Sequence, residues 1–262
     1  MTIANRNRTK LAVFLSATAL LAAVVPAANA AFMLTVTESG GPTIPIVDNG
    51  PLDLNPSPSS IDVNPALLNS LLINYQFNSL SATSNHLLGA PGSADPATLS
   101  QIGSAQRTPT AGTTSVTVVA SDTDYLFPAG NPKTMTTAAA DLFGFITAGD
   151  SRTFQSVLDP TNIGSPTPGV ASPLLAFVPP SGTGPFGSSN PGVTTPLGTQ
   201  PNPFALYNTT VITLGANLNQ ATPQIDQFSG ATTITAPIPE PATFGAVMIA
   251  MSGGLIASRR RR

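Results

Sequence analysis

Apolar and polar residues alternate with a period of two along most of the chain between residues 31 and 237. At the start of this region, Phe32, Leu34 and Val36 fall on one face of an extended segment, and the intervening residues fall on the other. This alternation is typical of a half-buried β-strand, because successive side chains of a strand point to opposite sides. It predicts a strand over residues 32–37.

The same alternation predicts further strands, separated by the turn-forming residues Gly, Pro, Asn and Asp. Asn49-Gly50, a dipeptide favoured in tight hairpins, ends the second strand. We expect the segment 113–121 to be a central strand covered on both faces, because apolar residues occur on both of its sides. The predicted strands after the first cover residues 43–48, 73–77, 98–107, 113–121, 142–147, 151–158, 204–218 and 225–235.

Two segments depart from this pattern. Asn64 is a favourable N-cap and Pro65 fits the first position of a helix, so a short helix is predicted from Pro65 through Leu71. Residues 164–203 are rich in Pro, Gly, Ser and Thr, which predicts a long loop.

Many short strands, closely spaced turns and almost no helix predict an all-β fold, an antiparallel β-sandwich-like ectodomain. Residues 31–237 are enough for one such domain. No repeat of fixed period is visible, which argues against a solenoid or a propeller. We expect the domain to be flanked by an N-terminal signal helix and a C-terminal transmembrane helix.

The first thirty residues have the three parts of a secretory signal peptide. Arg6, Arg8 and Lys10 form a basic region, residues 11–25 are apolar, and Ala28-Asn29-Ala30 matches an A-x-A cleavage site. We expect signal peptidase to cleave after Ala30, with Ala28 and Ala30 as the recognised small residues. Residues 1–30 are then absent from the mature protein.

The last twenty-five residues also read as a processing segment. A short motif over residues 238–243 precedes an apolar stretch over residues 244–257 and Ser258, and the chain closes with four arginines. A bilayer-spanning helix needs about 20 apolar residues, so the expected transmembrane helix over residues 244–258 is a short one. The basic stop consists of Arg259, Arg260, Arg261 and Arg262, which resist translocation and should stay in the cytoplasm.

Pro239-Glu240-Pro241, the short apolar span and the arginine run together resemble the PEP-CTERM sorting tail of exported bacterial proteins. Ile238 stands where that family usually has valine. The resemblance implies that the tail of residues 238–262 is inserted transiently in the inner membrane and then removed by an exosortase. It also implies a mature protein at the cell surface or outside the cell, often in organisms that build exopolysaccharide and biofilm.

Charge is distributed unevenly along the chain. Residues 31–237 contain eleven acidic residues and three basic ones, Arg107, Lys133 and Arg152, because the other basic residues lie in the two processing segments. Clustered Lys and Arg are needed to bind phosphate, so nucleic acid is not expected as a partner. Charged residues make up 8% of the chain, far below the roughly one quarter of ordinary domains, and leave a neutral, hydroxyl-rich surface.

The search for chemistry in the sequence identifies no catalytic residue. The chain has no cysteine, which excludes disulfides, thiolate metal sites and cysteine nucleophiles. His86 is the one histidine, and no Gly-x-Ser-x-Gly motif accompanies it, so we interpret it as a surface or loop residue. No cofactor and no metal site are assigned.

Carboxylates leave two alternatives open. Asp122 and Asp124 would share a face of a strand, and with Asp48, Asp53 and Asn55 they could supply oxygen ligands to calcium, although the EF-hand spacing is absent. Turn and cap roles for such residues are commoner. Paired carboxylates could also serve a glycosidase, but the chain has no tryptophan to form a sugar platform.

These patterns together predict an exported, non-enzymatic surface or extracellular-matrix protein, with exopolysaccharide as the expected contact. A carbohydrate- or ice-binding secreted module is an alternative, and ice recognition would require a regular threonine array beyond the pairs Thr35/Thr37 and Thr233/Thr235. A secreted hydrolase is a third.

Overall fold

The computed structural model describes residues 32–86, 96–108, 113–144, 147–167, 169–180, 185–215 and 224–237. The described residues form an all-β protein with two antiparallel sheets and one helical turn, α1 (Pro65–Asn69). The strands are β1 (Met33–Glu38), β2 (Thr43–Val47), β3 (Ser60–Asp62), β4 (Tyr75–Ser84), β5 (Ala97–Arg107), β6 (Thr114–Tyr125), β7 (Lys133–Phe143), β8 (Ser151–Asp159), β9 (Val170–Ala171), β10 (Leu175–Phe177), β11 (Phe186–Gly198), β12 (Phe204–Leu214) and β13 (Ile225–Thr235).

Each of the two sheets contains strands from distant parts of the chain. The first sheet has the order β10-β8-β12-β6-β1-β2, with β9 also paired to β8. The second sheet has the order β11-β7-β13-β5-β4-β3. Most neighbouring strands are therefore not consecutive in sequence, as is usual in sandwiches with Greek-key connections.

The hydrophobic core lies between the sheets. Leu34 and Val36 of β1 pack in one cluster with Leu99 of β5 and Ile234 of β13, and all four side chains are buried. The sheets approach closely at Gly230, where a Cβ atom would come within 2.2 Å of the Phe154 ring. Glycine at this position therefore leaves room for an aromatic side chain from the opposite sheet.

A seam of buried polar side chains crosses the core and joins the two sheets. Asn208 of β12 donates to the backbone carbonyl of Leu99 at 2.8 Å, and Gln101 of β5 donates to Thr210 of β12 at 2.6 Å. Ser156 of β8 donates to the Asn208 side-chain oxygen at 2.9 Å. Because unpaired buried polar groups are costly, these bonds fix how one sheet sits on the other.

Both described termini emerge at the same end of the sandwich, which we call the tether end. Met33 pairs with Ser121, near the end of β6. Tyr125, the last residue of β6, donates to the Thr98 carbonyl across the core, and Thr98 pairs with Thr233 near the end of β13. The opposite, distal end contains Ile73, whose N–H donates to the Glu38 carboxylate at 2.8 Å.

Several sequence predictions are confirmed. The strand over residues 225–235 is found with the predicted bounds, and the first strand is displaced by one residue. Asn64 caps α1 by accepting from the N–H groups of Ala66 and Leu67, although the helix ends at Asn69 rather than Leu71. The segment predicted to be central is β6, which lies between β12 and β1, but its outer face is half-exposed rather than covered.

Two predictions are wrong. Residues 164–203 are not one long loop, because β9, β10 and the thirteen-residue β11 lie within them. The strand predicted over residues 142–147 is the end of β7, which begins at Lys133 and stops at Phe143. The strand predicted over residues 204–218 is found as β12, which ends at Leu214, and residues 216–218 lie outside the described residues.

No helix within the described part of the chain is long and apolar enough to span a membrane. The proposed signal cleavage residues Ala28 and Ala30, the motif Pro239-Glu240-Pro241 and the arginine stop at residues 259–262 lie outside the described residues.

Candidate binding faces

Most charged side chains in the described structure are buried rather than displayed. All three described basic residues, Arg107, Lys133 and Arg152, are at most 1% exposed. On the described strands, the exposed acids are Asp62 on the edge strand β3 and Asp124 near the end of β6. The two broad outer faces of the sandwich are therefore almost free of charge.

Two buried acids, Glu38 and Asp150, accept hydrogen bonds from backbone N–H groups of the protein itself. Glu38 accepts from three consecutive backbone N–H groups, those of Ile73, Asn74 and Tyr75, at 2.8, 2.9 and 2.7 Å. Asp150 accepts from the N–H groups of Thr147 and Gly215, both at 2.7 Å. These carboxylates close the distal end of the sandwich, because each satisfies N–H groups from loops that the sheets leave unpaired.

On the outer face of the second sheet, threonines from four strands form a continuous row. Thr233 of β13 lies opposite Thr98 on one side and Thr136 on the other, and Thr136 lies opposite Thr194. Thr235 and Thr134 form a second pair directly beside this row. We call these six residues the threonine patch: Thr98, Thr134, Thr136, Thr194, Thr233 and Thr235.

The patch has the regular spacing of the sheet that carries it. Neighbouring strands are about 4.8 Å apart, and residues on one face recur about every 6.7 Å along a strand. Hydroxyl and methyl groups therefore repeat in two directions across the face. A regular array of this kind is what a repeating, uncharged ligand would meet.

A shallow groove continues from the threonine patch along the same face. It consists of two adjoining depressions of about 450 Å³ each, both lined by Ile102, Ala140 and Ser229. Small side chains form its floor, including Ala138 and Ala231. One wall is Ile102, which is 58% exposed. The groove offers hydroxyl, amide and methyl groups, with no exposed charge among its lining residues.

The outer face of the first sheet has a comparable row. Thr37 of β1 lies opposite Thr43 and Thr117, and the row continues through Val211 to Thr153. The Thr37 hydroxyl donates to the Thr43 hydroxyl at 3.1 Å. This face carries threonines as well, but neither of the two depressions described above lies on it.

Beneath the groove, a buried ionic cluster connects the sheets. Arg152 of β8 donates to the backbone carbonyls of Ala140 and Ser229 at 2.5 and 2.8 Å, and it lies 3.4 Å from the Asp141 carboxylate. Its guanidinium group also packs against the rings of Phe177 and Phe228, at 5.2 and 5.4 Å. The bonds to Ala140 and Ser229 hold the backbone of the groove floor from inside.

The cluster contains a second acid, Asp226 of β13, which is fully buried. Burial raises the pKa of Asp226 well above its ordinary value, and a hydrogen bond to Asp141 and the charge of Asp141 raise it further. Burial also raises the pKa of Asp141, while Asp226 and Arg152 act in the opposite direction. The raised pKa favours the neutral form of Asp226, which keeps a second negative charge from forming beside Asp141 in the buried cluster.

His86 lies in a turn, in agreement with the prediction of a surface or loop residue, but most of its side chain is buried. It lies at a turn after β4 with 17% of its side chain exposed, and its Nδ1 contacts the buried Asp122 carboxylate. The Ser84 hydroxyl is 3.5 Å from the same nitrogen. A Ser-His-Asp triad requires serine and aspartate on different ring nitrogens, so this geometry differs from that of a hydrolase.

The acids considered for calcium do not converge. Asp122 is buried beside His86, whereas Asp124 has a φ of 63°, is exposed and bonds to Asn162 at 2.7 Å. Asp53 accepts from three backbone N–H groups near its own turn, at 2.9 Å each. Within the described residues, no group of three or more metal-ligating side chains is found.

Sequence reasoning missed the threonine patch and the ionic cluster for the same reason. Each is assembled from strands that lie far apart in sequence, so the pairs Thr233/Thr235 and Thr35/Thr37 looked isolated. The one available signal was the shortage of charge in the strand segments, which the sequence shows.

No family model and no curated protein matches the chain. Two solved structures with distant similarity are those of the Gx and Gt strains of infectious bursal disease virus, each 15% identical over 78% of this chain, with TM-scores of 0.31 and 0.28. The chain spans about half the length of those proteins, since 55% of each is covered. Both TM-scores indicate a remote resemblance.

Proposed function

We propose that this chain is the precursor of an exported, non-enzymatic surface or extracellular-matrix protein that an exosortase sorts through its PEP-CTERM-like tail. Residues 1–30 direct export, and residues 238–262 hold the protein briefly in the inner membrane. The β-sandwich between them is the part that works outside the cell. We further propose that it contacts neutral exopolysaccharide through the threonine patch and the adjoining groove.

The observation that carries this proposal is the absence of exposed charge from the outer faces of the described strands, apart from Asp62 and Asp124. A neutral polysaccharide offers repeated hydroxyl groups, which both donate and accept hydrogen bonds, as threonine and serine hydroxyls do. A nucleic acid would instead require exposed Lys or Arg, and the described basic residues are buried.

The use of the acids supports a non-enzymatic role. Glu38, Asp53 and Asp150 satisfy backbone N–H groups, and Asp141 is engaged with Arg152. General acid or base catalysis needs a carboxylate that can reach a substrate. These carboxylates are committed to neighbours in the fold.

Binding of the mature protein to exopolysaccharide from the producing cells tests the proposed contact. Thr233→Lys places a strongly hydrated charge in the middle of the threonine patch and should weaken binding at least tenfold. Ile163→Lys adds the same charge at a site that is 69% exposed and lies off both faces, so it should bind like the wild type. Equal binding by both variants would show that the threonine patch does not contact the polysaccharide. Shortening of the polysaccharide would indicate a hydrolase.

Sorting through the tail has a separate test. Glu240→Ala removes the only charge of the proposed motif. The precursor should then remain in the membrane with its tail attached. Normal trimming of this variant would count against recognition by an exosortase.

Ice binding is a second candidate, favoured by the threonine row from Thr194 through Thr136 and Thr233 to Thr98. A regular array of hydroxyl and methyl groups can order water in the pattern of a crystal face. Thermal hysteresis of the mature protein, abolished by Thr136→Lys, would establish this function in place of polysaccharide binding. Absence of hysteresis at millimolar protein would exclude it.

A further inference from the structure

The tail departs from a strand that the sandwich holds firmly to its end. β13 lies between β5 and β7, and its pairing with β7 continues to its last residue, Thr235, opposite Thr134. The next two residues also lie against the fold. A Cβ atom on Gly130 would be 3.1 Å from the Ala236 Cβ atom and 3.3 Å from the Pro237 carbonyl oxygen.

The proposed sorting motif therefore follows the folded body almost directly. An extended chain advances at most about 3.6 Å per residue, so Pro239 lies within about 7 Å of Pro237, and Pro241 within about 14 Å. The apolar segment that begins at Phe244 starts within about 25 Å of Pro237. Under the proposed sorting function, a tail that spans the membrane would keep the sandwich close to the bilayer, with its tether end facing it, until the tail is removed.

A protease must surround its substrate to cleave it, because active sites are concave and bury most of what they bind. An enzyme that encloses Pro239-Glu240-Pro241 has a folded domain within about 14 Å on one side and the bilayer on the other. It cannot reach the motif without meeting the tether end. We propose that the tether end, with Leu126, Asp124 and Gly130 at its surface, is the docking surface for the exosortase.

The character of this surface fits such a contact. Leu126 is 45% exposed immediately after β6, so an apolar side chain at this end is open to a partner. Asn202 donates to the backbone carbonyls of Leu126 and Pro128 at 2.7 and 3.2 Å, which holds this segment in place. The docking surface is therefore preformed, and the enzyme need not order it.

Site-specific photo-cross-linking in the membrane of the producing cells tests this inference, which rests on the proposed sorting function. The cross-linking side chain replaces Leu126 in one variant of the full chain and Ile73 in another, with a catalytically inactive exosortase present to retain the complex. Ile73 is a matched control, because it is also apolar and exposed, at 65%, but lies at the distal end. The strands place the two sites about 35 Å apart.

An exosortase adduct from position 126 and none from position 73 is the expected result. A ten-residue Gly-Ser spacer between Pro237 and Ile238 should lower the adduct at position 126 at least fivefold, because it adds up to about 35 Å of reach. No adduct at position 126, equal adducts at both positions, or an undiminished adduct with the spacer would overturn the docking surface. If Glu240→Ala precursor is trimmed normally, the sorting proposal itself fails, which is a separate outcome.

Discussion

Thr98 of β5 and Thr233 of β13 lie directly opposite each other on the outer face of the second sheet. Nothing in the local sequence around either residue indicates the other, and the pair becomes part of a four-strand row only through the register of β7 and β11. The face thus gains a regular array of hydroxyl groups that no single strand contains. The proposed binding of polysaccharide therefore depends on the register of the strands in the second sheet.

Removal of a single hydroxyl group from the row tests whether hydrogen bonding drives recognition. Thr136→Val keeps the shape of the side chain and its preference for strands, but it cannot donate or accept a hydrogen bond. Loss of one hydrogen bond of about 1 kcal/mol should weaken polysaccharide binding about fivefold. Isothermal titration measures the change. Thr153→Val on the opposite sheet is the control and should bind normally.

Close packing at Gly230 predicts a marked asymmetry between two glycines of the second sheet. Gly230→Ala forces a methyl group against the Phe154 ring, where only 2.2 Å is available, and should destabilise the protein by about 1–3 kcal/mol. Gly187→Ala meets its nearest neighbour at 3.5 Å and should change stability by less than about 0.5 kcal/mol. Urea unfolding of both variants compares them, and equal losses would contradict the packing described.

The buried acid pair predicts an unusual pH dependence. The pKa of Asp226 is raised above the ordinary aspartate value of 3.8, so its contribution to stability is complete below pH 3.8 and is lost as the pH rises through the raised value. Asp226→Asn imitates the protonated acid because its amide group is neutral and cannot ionise. We expect this variant to lose less stability than the wild type between about pH 4 and pH 7.

Thermal unfolding across that pH range provides the measurement. Asp62→Asn removes an exposed acid and serves as the control, so it should keep the wild-type profile. A profile for Asp226→Asn that is as steep as that of the wild type would mean that Asp226 is not the group that holds the proton.

The three hydrogen bonds that the Glu38 carboxylate accepts, here called the Glu38 clasp, predict a large effect from a small change. Glu38 accepts hydrogen bonds from three backbone N–H groups. Glu38→Gln keeps one side-chain oxygen as an acceptor, but it replaces the other with an NH2 group, which is a donor and cannot accept from an N–H group. Leaving buried donors unpaired should lower the free energy of unfolding by about 1–3 kcal/mol. Hydrogen exchange should increase most at Ile73, Asn74 and Tyr75. Unchanged exchange there would show that the clasp does not hold this segment.

The sequence predicted the strands whose buried positions are apolar. β1 and β13 show the alternation plainly, and the Asn64 cap of α1 was also predictable because its chemistry is local. β7 was missed because it turns Lys133, Thr137 and Asp141 inward, where Lys133 donates to the Gln200 carbonyl and Asp141 lies beside Arg152 of β8. Tertiary contacts of this kind leave no local signature.

β11 was missed for a different reason. It is an edge strand that contains Pro191 and Pro196, and Leu197 is its only buried residue. Proline and glycine are tolerated there because one side of the strand has no partner to pair with. A composition typical of loops can therefore form an extended edge, and the prediction of a loop over residues 164–203 failed at this strand.

Mass spectrometry of the protein recovered from the surface and medium of the producing cells tests the central claim most directly. The account predicts a polypeptide that begins at Ala31 and lacks the apolar segment of residues 244–258 together with the four arginines that follow it. An intact chain of 262 residues in the cytosol would contradict export, trimming and the assignment of the sandwich as the working part.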